Sequence, residues 1–518
     1  MGALAAVACG SSSSDATPSS ENPKPGGQDG SGWPGAGPNG DGGEGGSPTP
    51  PVQAKPPVTS FAELKVVPFD VDREDLSGPK SHDAQYGKLP EIVPVAGGSF
   101  IDLAVRNTDE SAGAQVAVVR VEPDASGAWR VTRNYQLRSL GWLLGFARGA
   151  DGSYYYATGT KDPDVTKTFP APKQYRANVV RALRFDPEGK ALFDIDVDTA
   201  RPAAVKDSEP IVRPGTASSS RLSVGGNVLG LFHGINTEPD SNGTRHQKAT
   251  STFFDASSGA VRKASSIWVS HSFDQRHLVD GNDIYEAHLG DAYPRAVVMT
   301  RVRDAAAGPA REVFRPKGDT GANNTFTRLG NLARIDAGPA SGSYLALIAT
   351  ERTTTTGSLV SGSRDLALVR LTPNFATGAE ADVLDRTFGA ESQVTSGGKA
   401  VTNRLLYLTD YDTTAPGKTH AERPKLVSVG NGEFIVLWEQ WTLEGDKQTF
   451  NGTFAMRIDG NGKILAAAKN VSQHHLPRGD DAVAYGGGAA WVTGDKTTRA
   501  ITVHRVAPNL DVTDHTIP

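Results

Sequence analysis

Residues Gly430–Glu439 read GNGEFIVLWE, and Ala455–Gly462 read AMRIDGNG. The first is a glycine turn opening into an apolar strand. The second is a strand that carries one basic residue and ends in an Asp/Gly turn. Working outward, the first half recurs as GGSFIDLAV from Gly97, DGSYYYATG from Asp151, GGNVLGLF from Gly225, DGNDIYEAH from Asp280, SGSYLALIAT from Ser341 and GGGAAWVTG from Gly486. The second half recurs as VVRVEPD from Val118, ALRFDPEG from Ala182, TFFDASSG from Thr252, MTRVRD from Met299, LVRLTPN from Leu368 and VHRVAPN from Val503. Seven alternating pairs predict an all-β chain, with a seven-bladed β-propeller of four-stranded antiparallel blades over residues 85–518.

The formal charge of −5, from 53 basic and 58 acidic side chains, argues against a nucleic-acid surface or a polybasic membrane patch. The sequence holds no run of 18 apolar residues, the least a membrane-spanning helix needs. The single cysteine is Cys9, so the repeat region can form no disulfide and do no thiol chemistry.

Cys9 follows Leu4-Ala-Ala-Val-Ala and precedes Gly10 and four serines, which resembles the lipobox of a bacterial lipoprotein signal peptide. On that resemblance residues 1–9 are the remnant of a signal peptide whose basic start lies upstream, and Cys9 is the lipidated residue. Residues 10–56 are Ser, Gly and Pro-rich with Trp33 the one large apolar side chain, a composition expected to stay disordered. A flexible coil of about 45 residues reaches on the order of 35–40 Å, enough to hold a head away from a membrane. Residues 57–84 are expected to form a lead-in strand, or to pack on the ring. With its seven repeats the chain resembles secreted bacterial lipoproteins carrying a propeller head. The segment Asp365–Gly389, with ALVRL before LDRTFG, is similar to a short bacterial propeller repeat. The resemblance implies architecture and a lipid-anchored place in the cell envelope, with the membrane met only through the anchor. It implies no catalytic residues.

If the glycine turns join first to second strands, one face of the ring carries only tight hairpins. The long segments Lys161–Tyr175, Asn236–Lys248, Glu351–Asp365, Asp198–Ser220 and Gly389–Glu422 then all fall on the opposite face, which becomes the candidate binding face. The crossovers entering the inner strands are rich in His and Arg. SHSFDQRHLV carries His271, Asp274, Arg276 and His277; THAERPKLV carries His420, Glu422 and Arg423; QHHLPRGDDAV carries His474, His475, Arg478, Asp480 and Asp481. Arg138, Arg221 and Arg328 are weaker echoes. Guanidinium groups converging on a channel mouth would attract carboxylate or phosphate. The neighbouring acids offer another reading, in which internal ion pairs hold the blades in register.

The fourth blade adds Glu286, His288, Asp291, Tyr293 and Arg295, with Glu286 and His288 on one side of a strand. This group suits a ligand, acid–base chemistry, or a divalent metal such as calcium or zinc. No catalytic or metal-binding motif accompanies it: HExxH, CxxC, GxSxG and GxxxxGK[ST] are all missing from the sequence. No cofactor and no metal is therefore expected. The expected function is a binding scaffold for an anionic glycan, a peptide or an envelope protein; the alternative is a polysaccharide hydrolase or lyase using the fourth-blade group.

Overall fold

A tight turn lets a strand reverse and pair with itself, and glycine supplies the positive φ that such turns need. At the sixth repeat Asn431 (φ 57°) and Gly432 (φ 71°) form the two central residues, as a type I′ hairpin requires. Each of the seven glycine turns closes the first hairpin of a sheet, and the seventh, at Gly486 (φ 57°) and Gly487 (φ 74°), repeats this two-residue geometry.

The computed structural model describes residues 63, 65–74, 78–79, 89–109, 115–138, 141–160, 180–197, 211–212, 220–239, 241, 245–268, 274–289, 297–303, 306–307, 311–314, 327–351, 363–374, 385, 387–396 and 399–518. It forms a seven-bladed β-propeller of antiparallel sheets, as the repeats predict. The first blade is Ile92–Ala96, Ile101–Arg106, Gln115–Pro123 and Trp129–Arg138, from the channel outward. The second is Gly141–Arg148, Tyr154–Thr160, Val180–Phe185 and Ala191–Asp196. The third is Arg221–Gly225, Val228–Pro239, Arg245–Asp255 and Val261–Trp268. The fourth begins Gln275–Asp280, Asp283–Leu289 and Val297–Arg303, and its outer edge is split into Ala306–Ala307 and Arg311–Phe314. The fifth begins Arg328–Arg334, Tyr344–Glu351 and Arg364–Leu371. The sixth is Thr419–Gly430, Glu433–Glu444, Lys447–Asp459 and Ile464–Ser472, and the seventh is Val483–Tyr485, Gly488–Asp495, Ala500–Val506 and Val512–Ile517.

Alternate residues of each strand face opposite neighbours, so the apolar side chains collect between blades rather than in one central core. Seven buried clusters result, one at each blade–blade interface. The arginine of the second repeat half explains itself here. Arg184 binds Asp151 of its own blade at 2.7 Å and Ser257 O of the next at 3.0 Å. Arg370 binds Asp385 and reaches Asn461 of the sixth blade, and Arg457 binds Glu433 and reaches Pro508 O of the seventh. Each therefore ties its own blade to the outer turn of its successor.

Among the described residues no strand is exchanged between the chain ends. The first blade is wholly N-terminal and the seventh wholly C-terminal, so their seam rests on packing and side-chain hydrogen bonds. The lead-in covers it. Residues 66–70 join no sheet and Val71–Glu74 make one helical turn, so the described part of this segment packs on the ring and is not the expected strand. Val66 enters the cluster of Ile92, Tyr485 and Val492. Val67 N donates to Asn107 Oδ1, and Thr108 N donates to Val67 O.

Two expectations about the faces are corrected. Asn236–Lys248 is not one long loop, because the strands continue to Pro239 and resume at Arg245. The segment Gly389–Glu422 is not purely a crossover. Within it Lys399–Tyr407 pairs with Arg364–Leu371 as the fifth blade's fourth strand, and Ala390–Ser396 pairs outside it. The chain between the third and fourth strands is thus an insertion on the hairpin face, so the long segments are not confined to one side. The alternation of this stretch fits a strand, but its remote position from LVRLTPN conceals the pairing.

Candidate functional site

Residues that open each inner strand lie where the seven blades converge, and there charges meet at close quarters. Arg221 and Arg276 open the inner strands of the third and fourth blades, and Lys425 lies in that of the sixth; all three are buried. They converge on Asp481 in the crossover to the seventh blade, at 3.5 Å from Arg221 Nε, 3.4 Å from Arg276 Nε and 4.0 Å from Lys425 Nζ. Arg276 Nη1 also donates to Asp274 Oδ1 at 2.5 Å, Arg221 Nη1 to Gly479 O at 2.7 Å, and Lys425 Nζ to Asp480 O. Asp480 Oδ2 accepts from the backbone N–H of Ile92 across the seam. Asp481 is the most open of these groups, with a quarter of its side chain exposed. Confinement pushes its carboxyl up, but Arg221, Arg276 and Lys425 outweigh that and hold it below the usual carboxylate range. Burial drives the ammonium of Lys425 and the carboxylate of Asp480 towards their neutral forms.

Two further networks flank this one. Arg328 Nε donates to Glu422 Oε2 at 3.1 Å, while Arg364 contacts Glu422 Oε1; burial brings the Arg328 guanidinium down to about 10. His420 lies buried beside them and accepts from Arg364 N at 3.4 Å. Glu439 is fully enclosed. It accepts from Arg423 Nη1 (3.0 Å), Trp441 Nε1 (2.8 Å) and Leu476 N (2.8 Å), and pairs with His475 Nδ1 (3.1 Å). His475 is also packed against Phe450, 3.9 Å between ring centroids. Arg423 holds a left-handed backbone (φ 50°), fixed by its bonds to Glu439 and Leu476 O. Arg478 is half-buried on the same crossover.

The fourth-blade group separates. Asp274 and Arg276 join the axis, whereas His277 and Glu286, directly paired across the hairpin, turn toward the third blade. His277 Nδ1 meets Ser223 Oγ at 3.1 Å, its Nε2 lies 3.5 Å from Glu286 Oε1, and Ser251 Oγ donates to the same oxygen. Among the described residues the apolar cluster at this interface is small, Val228, Phe253, Ile284 and Val302 with Val279 packed against it, and the polar bracket completes it. His288 is buried on the same side as Glu286. His271, Asp291, Tyr293 and Arg295 lie outside the described residues, as do Cys9 and the side chain of Arg138.

Burial pushes His288 down to about 4, the neighbouring Glu286 offsetting only part of the effect, so it is neutral at pH 7. Its folded value lies below its unfolded value, so the unfolded chain binds the extra proton and stability is lost as pH falls from about 6.5 to 4. At about 1.4 kcal/mol per unit this amounts to roughly 3 kcal/mol. In urea titrations between those pH values, His288→Gln is expected to lose that much less stability than the wild type; equal acid losses would refute it.

The sequence reading missed Lys425 and Glu439. Lys425 stands two residues after Arg423 in the stretch that reading singles out. Glu439 is an acid closing the apolar run Phe434–Trp438, and a charge embedded in such a run is a signal of burial.

The chain is similar to several solved propeller structures at low identity. It shares 12% identity with a protein of unknown function from Dyadobacter fermentans, covering 77% of this chain and 98% of that one, with a TM-score of 0.35. An α-L-arabinanase from Penicillium chrysogenum shares 13%, covering 72% and 92%, with a TM-score of 0.29. A xylan β-1,4-xylosidase from Bacillus halodurans shares 13%, covering 70% and 69%, with a TM-score of 0.28. At such values the likeness carries no inference about activity. No protein-family model matches the sequence, and no curated protein matches it.

Proposed function

We propose that the chain is a cell-envelope binding scaffold, lipid-anchored through Cys9, whose channel mouth takes the carboxylate of an anionic glycan. One observation carries this reading: two buried guanidinium groups and a buried lysine converge on a single partly open carboxylate, Asp481. The mouth has the chemistry of a carboxylate receptor, and in the free chain it holds its own. A uronic acid entering from solvent would replace the Asp481 side chain and meet the Arg276 and Arg221 guanidinium groups. The loops of this face would supply the remaining contacts.

The hydrolase or lyase reading needs His277, Glu286 and His288 to reach a polymer. Their burial between blades, with His277 and Glu286 bound to Ser223 and Ser251, weighs against it. A calcium or zinc ion at that group is disfavoured on the same ground.

A melting-temperature panel tests the reading, because a ligand that binds only the folded state raises the midpoint by mass action. Oligogalacturonates are expected to raise it and neutral xylo- or arabino-oligosaccharides to leave it unchanged. A response to neutral glycans would overturn the anionic assignment, and a response to none would overturn the glycan assignment and leave an envelope protein as the partner.

A further inference from the structure

Outside the channel, His474, His504 and Asp514 bring potential ligand atoms within 4.8 Å of one another. They come from separate elements: the crossover between the sixth and seventh blades, the seventh blade's third strand, and its outermost strand. His504 and Asp514 are direct register partners, so the sheet itself holds them side by side. We propose that these three side chains form a zinc site that ties the seventh blade to the crossover from the sixth.

The surroundings of the two imidazoles are those of metal ligands. A ligating histidine commonly donates its other ring N–H to a carboxylate or oxygen, which fixes ring orientation and tautomer. His474 Nδ1 is engaged by Asp72 Oδ2 at 2.6 Å, which leaves Nε2 for the cation. His504 Nε2 is engaged by Thr493 Oγ1 at 2.8 Å, which leaves Nδ1, now bound to Asp514 Oδ1 at 2.8 Å. Zinc would replace the proton between that nitrogen and that oxygen. The His504 ring lies on Trp491, 4.8 Å between centroids at 21°, and so cannot turn away. His474 is half-exposed and Asp514 exposed, so the ion has a route in from solvent.

Two imidazoles and one carboxylate match zinc in ligand type, with a fourth tetrahedral position left to water. Calcium and magnesium prefer all-oxygen sites. Asp72 also accepts from His475 N at 2.8 Å, so the site would join the lead-in, the crossover and the last blade on the side of that blade that faces the sixth.

The test uses the full chain, stripped with EDTA, dialysed, and titrated with zinc chloride under calorimetric and melting readouts. One zinc per chain and a raised midpoint are expected, with calcium and magnesium giving neither. His474→Gln and Asp514→Asn, both at solvent-facing positions, are expected to abolish the stoichiometric binding while leaving the zinc-free midpoint near that of the wild type. Asp72→Asn should keep the stoichiometry and weaken affinity by about 10–100-fold, as loss of an orienting carboxylate does. Cobalt substitution should give the visible spectrum of a four-coordinate ion, and that spectrum should vanish in Asp514→Asn. Failure of the wild type to bind zinc, or binding unchanged in His474→Gln and Asp514→Asn, would overturn the proposal.

Discussion

Glu439→Ala is expected to lower the unfolding free energy by about 3–5 kcal/mol, the range for breaking a buried ion pair by removing one partner. The carboxylate is fully enclosed, and burial alone would raise its pKa; the Arg423 guanidinium, with His475 and the Trp441 N–H, reverses that and keeps it ionised. Alanine would leave Arg423 buried without its counter-charge and orphan Trp441 Nε1 and Leu476 N together. It would also free the Arg423 backbone, whose left-handed conformation those bonds maintain. Glu439→Gln keeps an acceptor without the charge and should fall between. Denaturant titration of the three proteins at pH 7 reads the effect, and a loss under about 1 kcal/mol for alanine would show that water or a shift of Arg423 compensates.

The second large effect is expected at the seam. Deleting residues 1–74 removes Val66 and Val71 from buried positions, together with the Val67–Asn107, Val67–Thr108 and Asp72–His475 hydrogen bonds. Two buried valines at about 1.5–3 kcal/mol each and three hydrogen bonds near 1 kcal/mol sum to about 6–9 kcal/mol. The loss should be referred to a chain lacking only residues 1–62. Amide exchange should rise first in the strands at Ile92–Ala96 and Gly488–Asp495, where Pro68 and Phe69 cover Gly494. Even loss of protection around the ring would contradict a local seam.

The fold is legible in the sequence because each blade repeats the same local chemistry. A glycine turn must have positive φ, an Asp/Gly turn must cap its own backbone, and an arginine beside that turn must find its carboxylate. Asp459 shows the middle rule, since its Oδ1 accepts from Asn461 N and Lys463 N. All three are short-range demands, so they survive in a linear reading. The fifth blade's outer strand is not legible in this way: Ala367↔Tyr407 joins residues far apart, and no local signal says which strand Lys399–Tyr407 will meet.

The candidate site divides along the same line. That Arg221, Arg276, Arg328 and Arg423 enter the mouth follows from their place before or at the start of an inner strand. Which acid each one meets does not follow, because Asp481 reaches Arg221 and Arg276 across the ring. Likewise the alternation of Glu286 and His288 places them on one side, but only the neighbouring blade determines that this side is closed by Ser251. Histidines scattered at 474 and 504 carry no motif spacing, and their approach to 4.6 Å between ring centroids arises only when the seventh blade docks on the crossover.

The central claim is that Arg221 and Arg276, with Lys425 beside them, hold an internal carboxylate at the channel mouth that a ligand's carboxylate can replace. Calorimetric titration of the wild type and Asp481→Asn with a trigalacturonate tests it most directly. Removing the internal competitor leaves Arg221, Arg276 and Lys425 in place, so Asp481→Asn is expected to bind the acidic trisaccharide at least about tenfold more tightly, a gain of roughly 1.4 kcal/mol. Equal affinity in the two proteins, or weaker binding by the asparagine variant, would contradict displacement and reduce the charge cluster to an internal brace of the ring.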